Sequence, residues 1–217
     1  MDSGAVISDW GVRLKLRKMA GKIGLTAVMI AAAFTVGSGG VASADTDWGE
    51  LLPLSSIESC VALYGPDGFY NNNTRVTEWG CNGHNDQQWS VHRYGTSPVG
   101  DALYQIINLQ SRKCLEVRNA NQFAGTPVDQ FTCGTTGSFD SLSTQLWGVA
   151  YEPSSGGLYL IPYSNLRFSG IQLLCLDVAG GSTDDGTMLE QWPCNHGGNQ
   201  QFVFNNQQGY PQYIFPT

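Results

Sequence analysis

The sequence predicts an all-β domain made by triplication. Three observations predict it: an internal repeat with the same anchors in the same order, six cysteines that fall two to a copy, and no sustained helical period beyond the first few dozen residues. Each copy opens with a cysteine, Cys60, Cys114 or Cys175. Two positions on stand Ala62, Glu116 and Asp177, followed by the aliphatic Leu63, Val117 and Val178. An aromatic, Trp79, Phe131 or Trp192, precedes by two the second cysteine, Cys81, Cys133 or Cys194. Each copy closes with Gln-x-aromatic: Gln87 to Trp89, Gln145 to Trp147, Gln200 to Phe202.

Within the middle copy, 104–109, 114–117, 128–133 and 146–151 read as short strands, punctuated by Gly, Asn, Ser and Pro. Four strands in each of three copies make about a dozen, which suits a small closed barrel with hairpin caps. Trp89, Trp147 and Phe202 then belong to one shared core, related by pseudo-threefold symmetry. The copies span 50–99, 100–157 and 158–217.

Six cysteines allow about fifteen pairings in the abstract. The first-to-second separations of 21, 19 and 19 residues make Cys60–Cys81, Cys114–Cys133 and Cys175–Cys194 the simplest. Closing a loop of that size stabilises by roughly 3 kcal/mol in the chain-entropy model. No Cys-x-x-Cys spacing occurs, so these cysteines read as structural and no metal is expected.

The first 44 residues read as a secretory signal peptide. Arg13, Lys15, Arg17, Lys18 and Lys22 precede an apolar run over 23–36, and Ala42-Ser43-Ala44 suits cleavage before Asp45. The run is short of the ~18–20 residues that cross a bilayer, so no membrane span is expected after cleavage. Met1 and Met19 both serve as possible starts. Residues 45–217 then form one secreted domain with six Lys or Arg against sixteen Asp or Glu, a net charge of −10. A surface of that sign repels phosphates, which argues against nucleic acid as a partner.

Cys175-Leu176-Asp177-Val178, Gly186-Thr187, Gln191-Trp192-Pro193-Cys194-Asn195 and Asn199-Gln200-Gln201-Phe202 together resemble the ricin B-type β-trefoil lectins. The resemblance covers roughly 50–217, is strongest in the third copy and weaker in the second. It implies a β-trefoil of three Gln-x-aromatic repeats, and a carbohydrate-binding protein with no cofactor. It also implies that Asp177 accepts hydrogen bonds from two sugar hydroxyls, that Trp192 stacks on the ring, and that Glu190 walls the pocket. Asn199 becomes a further hydroxyl contact and Gln200 a brace for Asp177. The corresponding residues of the second copy are Glu116, Asp129, Phe131, Thr144 and Gln145. In the first, Ala62 replaces the acid, so that copy is expected to keep only the scaffold. Galactosides and polysaccharides such as xylan or arabinan are the partners the resemblance implies.

Those residue types suit a pyranose, which presents hydroxyls along an edge and C–H groups on a face. A carboxylate supplies two acceptors whose charge-assisted bonds are strong, an amide both donates and accepts, and an indole offers a wide stacking platform. Catalysis fits less well. No pair of acids stands out by spacing as a glycosidase pair, and neither a zinc-protease histidine spacing nor a Gly-x-Ser-x-Gly elbow occurs. The protein is therefore read as a binder and not an enzyme. A protein-binding trefoil, such as a protease inhibitor or toxin-associated adaptor, is the alternative, with 65–73 or 134–143 as its recognition loop.

Overall fold

A computed structural model describes residues 48–134, 138–167 and 172–206. The proposed leader, Gly134 to Ser143 in part, and the tail beyond 206 with Tyr213-Ile214-Phe215 lie outside the described residues. Twelve strands follow one another in groups of four. The first repeat supplies β1 (Gly49–Pro53), β2 (Ser59–Leu63), β3 (Thr74–Gly80) and β4 (Gln88–Thr96). The second supplies β5 (Ala102–Asn108), β6 (Cys114–Val117), β7 (Thr126–Phe131) and β8 (Trp147–Glu152). The third supplies β9 (Gly157–Pro162), β10 (Leu174–Val178), β11 (Thr187–Pro193) and β12 (Phe202–Asn206). A single helical turn, α1 (Tyr163–Leu166), follows β9. Observed β6 coincides with its expected range, whereas β7 runs two residues earlier at both ends. Its pairing with the third repeat through Glu190↔Pro127 and Gln191↔Thr126 extends it toward the turn, a non-local contact that apolar patterning does not register.

Antiparallel pairing closes a six-stranded ring, β1–β4–β5–β8–β9–β12 and back to β1. The remaining strands form three hairpins, β2–β3, β6–β7 and β10–β11, whose second strands pair with one another to make a three-sided cap. Closure removes the open edges of the ring, leaving only short edges on the cap strands β2 and β10. The molecule is a β-trefoil.

The core forms where barrel and cap meet. Trp89, Trp147 and Phe202 are fully buried there with Val61, Leu115 and Leu176. The two indoles each donate to the residue just after the first cysteine, Trp89 Nε1 to the Val61 carbonyl (2.7 Å) and Trp147 Nε1 to that of Leu115 (3.0 Å). Phe202, at the third corner, has no N–H to give to Leu176. The disulfides join Cys60 to Cys81, Cys114 to Cys133 and Cys175 to Cys194, each tying a cap hairpin to the turn that follows it. The one close grouping of potential metal ligands among the described residues, Glu50 with Cys60 and Cys81, has both sulfurs consumed in a disulfide.

Candidate carbohydrate-binding site

In the third repeat the hairpin β10–β11 sets the site. Register places Asp177 opposite Glu190 and Cys175 opposite Trp192, so the acid, its wall and the ring follow from one antiparallel pairing. Gln200 Nε2 donates to Asp177 Oδ2 (2.7 Å) and to the Pro193 carbonyl (3.0 Å), while its Oε1 accepts from the Asn195 backbone N–H (2.8 Å). Asn199 Nδ2 adds a second bond to Asp177 Oδ2 (2.9 Å) and one to the Val178 carbonyl (3.2 Å). Both amide donors go to one carboxylate oxygen. Oδ1 accepts nothing among the described residues. Trp192 is 43% exposed beside Asp177, which is 2% exposed, so a flat apolar face flanks a fixed acceptor.

Burial pushes the Asp177 carboxyl up to about 6, with the nearby Glu190 charge adding to the rise and the amides of Gln200 and Asn199 only partly opposing it. Glu190 is also raised by burial. An acceptor already stripped of water is available for a ligand hydroxyl at little further desolvation cost.

The second repeat repeats the frame and alters the groups on it. Gln145 Nε2 donates to Glu116 Oε2 (2.6 Å) and the Thr132 carbonyl (3.1 Å), and its Oε1 accepts from the Gly134 N–H (2.9 Å). Thr144 has no amide to add, and it is its backbone carbonyl that accepts from the Val117 N–H. Phe131 is half-buried. Asp129, expected in the pocket wall, is instead wholly buried beneath Arg118, whose Nε donates to Asp129 Oδ2 at 2.6 Å. Covered and paired in this way, it offers a ligand no direct contact. The inserted segment, where described, packs down on the barrel. Leu142 joins Leu103, Leu146 and Tyr163 in a satellite core, and Asp140 pairs with Arg167 at 2.7 Å.

Residues 102–212 match the family described as the ricin-type beta-trefoil lectin domain, and residues 54–131 match a ricin-type beta-trefoil lectin-like domain. The chain belongs to the ricin-type β-trefoil lectin family. No curated protein matches its sequence. Among solved structures, the lectin domain is similar to ThreeFoil, a designed 3-fold symmetric protein (23% identity, TM-score 0.59, 73% of this chain and 97% of that one). It is also similar to an exo-beta-1,3-galactanase from Clostridium thermocellum (23%, 0.58), covering 74% of this chain but 30% of the enzyme. The Macrolepiota procera ricin B-like lectin in complex with lactose is a further likeness (15%, 0.52, 76% and 98%). At these identities the likeness is one of fold.

The lectin domain carries two repeated devices that sequence spacing did not reveal. The residue before each site aromatic is Glu78, Gln130 or Gln191. Gln191 Nε2 donates to the Asn121 and Phe123 carbonyls, and Gln130 Nε2 to those of Phe69 and Asn71, so each stitches its hairpin to the loop of the preceding repeat. The same loops carry the second device, a left-handed residue before Thr at Asn73, Gly125 and Gly186. A Cβ on Gly125 would lie 3.6 Å from the Trp192 ring and 3.7 Å from Glu190 Oε2, so the second repeat's loop forms part of the third repeat's site. The recurrence of Gly-Thr at 125 and 186 is the sequence signal that could have marked it.

Proposed function

We propose that this protein is a secreted lectin that binds galactose-type sugars or plant and cell-surface polysaccharides without acting on them chemically. The observation that carries the reading is Asp177, whose Oδ2 is held by Gln200 and Asn199 beside the open face of Trp192. A sugar laid on that ring presents an edge of hydroxyls to Oδ1 and to the Oδ1 of Asn199. Both lone-pair directions on Oδ2 are committed to amides, which fixes the carboxylate's orientation beside the ring. The lactose complex of the Macrolepiota lectin supports the sugar class, and export is supported by the 1–44 leader and by three disulfides, which persist in oxidising compartments.

A shallow site of this kind holds one sugar at about 0.1 to 1 mM, on the order of 4 to 5.5 kcal/mol. The second repeat adds a weaker site, and two sites on one rigid body raise avidity for a polymer. A glycan array comparing the native protein with Asp177→Ala and Glu116→Ala tests this. Most signal is lost in the first variant and a smaller part in the second. Unchanged signals in both variants would refute the assignment, and reducing sugar released from xylan, arabinan or galactan would refute the absence of catalysis.

A further inference from the structure

The first repeat lacks the strand carboxylate, yet a carboxylate stands on the opposite wall of the same pocket. Counting from the cysteines, Asp177, Trp192, Asn195, Gly197 and Asn199 correspond to Ala62, Trp79, Asn82, His84 and Asp86. Trp79 is 38% exposed, close to the exposure of Trp192, so the platform is intact. Beside it, where the methyl of Ala62 replaces an acid, lies a cavity of about 220 Å³ walled by Leu63, Pro66, Phe69 and Asp86. A second hollow of about 390 Å³ shares Phe69, His84 and Asp86 with it and extends to Gln110.

The chemistry of this cavity differs from that of the third repeat. Its β2–β3 loop is longer than its counterparts and contributes Pro66 and Phe69, so the space vacated by the acid is apolar. Asp86 sits on the tight helical turn Asn85–Gln87, anchored by its backbone carbonyl, which accepts from Asn108 Nδ2 (2.8 Å). Among the described residues the half-buried Asp86 carboxylate accepts no hydrogen bond from another side chain, and burial raises its pKa, opposed only in part by its own backbone N–H and by His84, so a donor brought by a ligand relieves it. A sugar hydroxyl set against the apolar wall would lose its water without gaining a partner, which weakens binding roughly tenfold or more.

We propose that the first repeat is a second kind of saccharide site, selective for an N-acetylated amino sugar. The ring lies on Trp79, the acetamido N–H donates to Asp86, and the acetyl methyl fills the hollow formed by Ala62, Pro66 and Phe69. The adjoining hollow along Phe69 and His84 takes a second ring. This inference rests on the third repeat being a saccharide site only for the ring-stacking role of the aromatic, and its test separates the two.

The experiment titrates native protein, Asp86→Asn and Asp177→Asn with N,N′-diacetylchitobiose and with galactose, reading the indole N–H resonances of Trp79 and Trp192 by NMR. Diacetylchitobiose shifts Trp79, and Asp86→Asn weakens it about fivefold to tenfold, the difference between a charge-assisted and a neutral acceptor, with galactose binding unchanged. Asp177→Asn abolishes the galactose response at Trp192 and leaves diacetylchitobiose within about twofold. Loss of galactose binding throughout, with the Asp86-dependent response intact, would sink the third-repeat reading alone. No Trp79 response at ~10 mM probe, an affinity indifferent to Asp86→Asn, or equal binding of cellobiose, the neutral disaccharide with hydroxyls in place of the acetamido groups, would overturn the proposal made for the first repeat.

Discussion

The second and third repeats share one glutamine frame and differ in how many polar groups that frame leaves uncommitted. In both, the glutamine of Gln-x-aromatic ties the hairpin carbonyl to the turn N–H and reaches the strand acid. The third repeat adds Asn199 and keeps Glu190 half-exposed, whereas the second has Thr144 and spends Asp129 on Arg118. The first repeat makes the same two structural bonds through Gln87, to the Gly80 carbonyl and from the Asn82 N–H, with no acid to brace. The glutamine is thus a scaffold element first. Orientation of a carboxylate is a use added where the strand supplies one.

That contrast can be broken most forcefully at Arg118. Replacing it with Ala strands a fully buried carboxylate at Asp129, whose second oxygen has no partner among the described residues, so the variant should lose roughly 3 kcal/mol or more. Urea denaturation measures this, and a loss below that of an ordinary surface substitution would mean Asp129 is carried neutral and needs no cation.

A smaller effect is expected from pH, with opposite signs for binding and stability. Because the folded pKa of Asp177 lies at about 6, above its ordinary 3.8, its contribution to stability is fully present below about pH 4 and lost as pH rises through 6. The ionised form needed for binding grows over the same window. Galactose affinity at the third repeat should therefore fall about tenfold between pH 7 and pH 5 while that site becomes more stable. Calorimetric titration at both values checks it, and a flat profile would show that the neutral acid binds equally well.

The smallest change sharpens the frame itself. Glu78 occupies the place of Gln130 and Gln191 and is fully buried, and among the described residues its oxygens meet only the Ser56 and Ser59 hydroxyls, outside good hydrogen-bonding geometry. Burial raises its pKa, offset only in part by the Ser59 and Ser56 hydroxyls. Gly186 N–H donates to the Glu78 carbonyl, so the residue lies against the third repeat's loop as its counterparts lie against theirs. Glu78→Gln supplies the missing N–H donors and should stabilise by about 1–2 kcal/mol at pH 7. The gain should shrink toward pH 4, where the native acid is protonated. A lower urea midpoint for the variant at pH 7 would show that this loop does not accept the donors.

Much of this molecule is written locally. Cysteine separations of 19 to 21 residues, an aromatic two before the second cysteine and the closing Gln-x-aromatic mark the three hairpins, their disulfides and the core corners Trp89, Trp147 and Phe202. These features repeat along one chain segment at a time, and antiparallel hairpins keep near neighbours together, so spacing alone specifies them. The tertiary structure decided what spacing cannot carry. It put Arg118 over Asp129, set Gly125 against the Trp192 ring, and placed Asp86 across a cavity from Ala62. In each case a group's exposure or partner depends on segments brought together only when the barrel closes, and that closure fixes which acids meet solvent and which are spent inside.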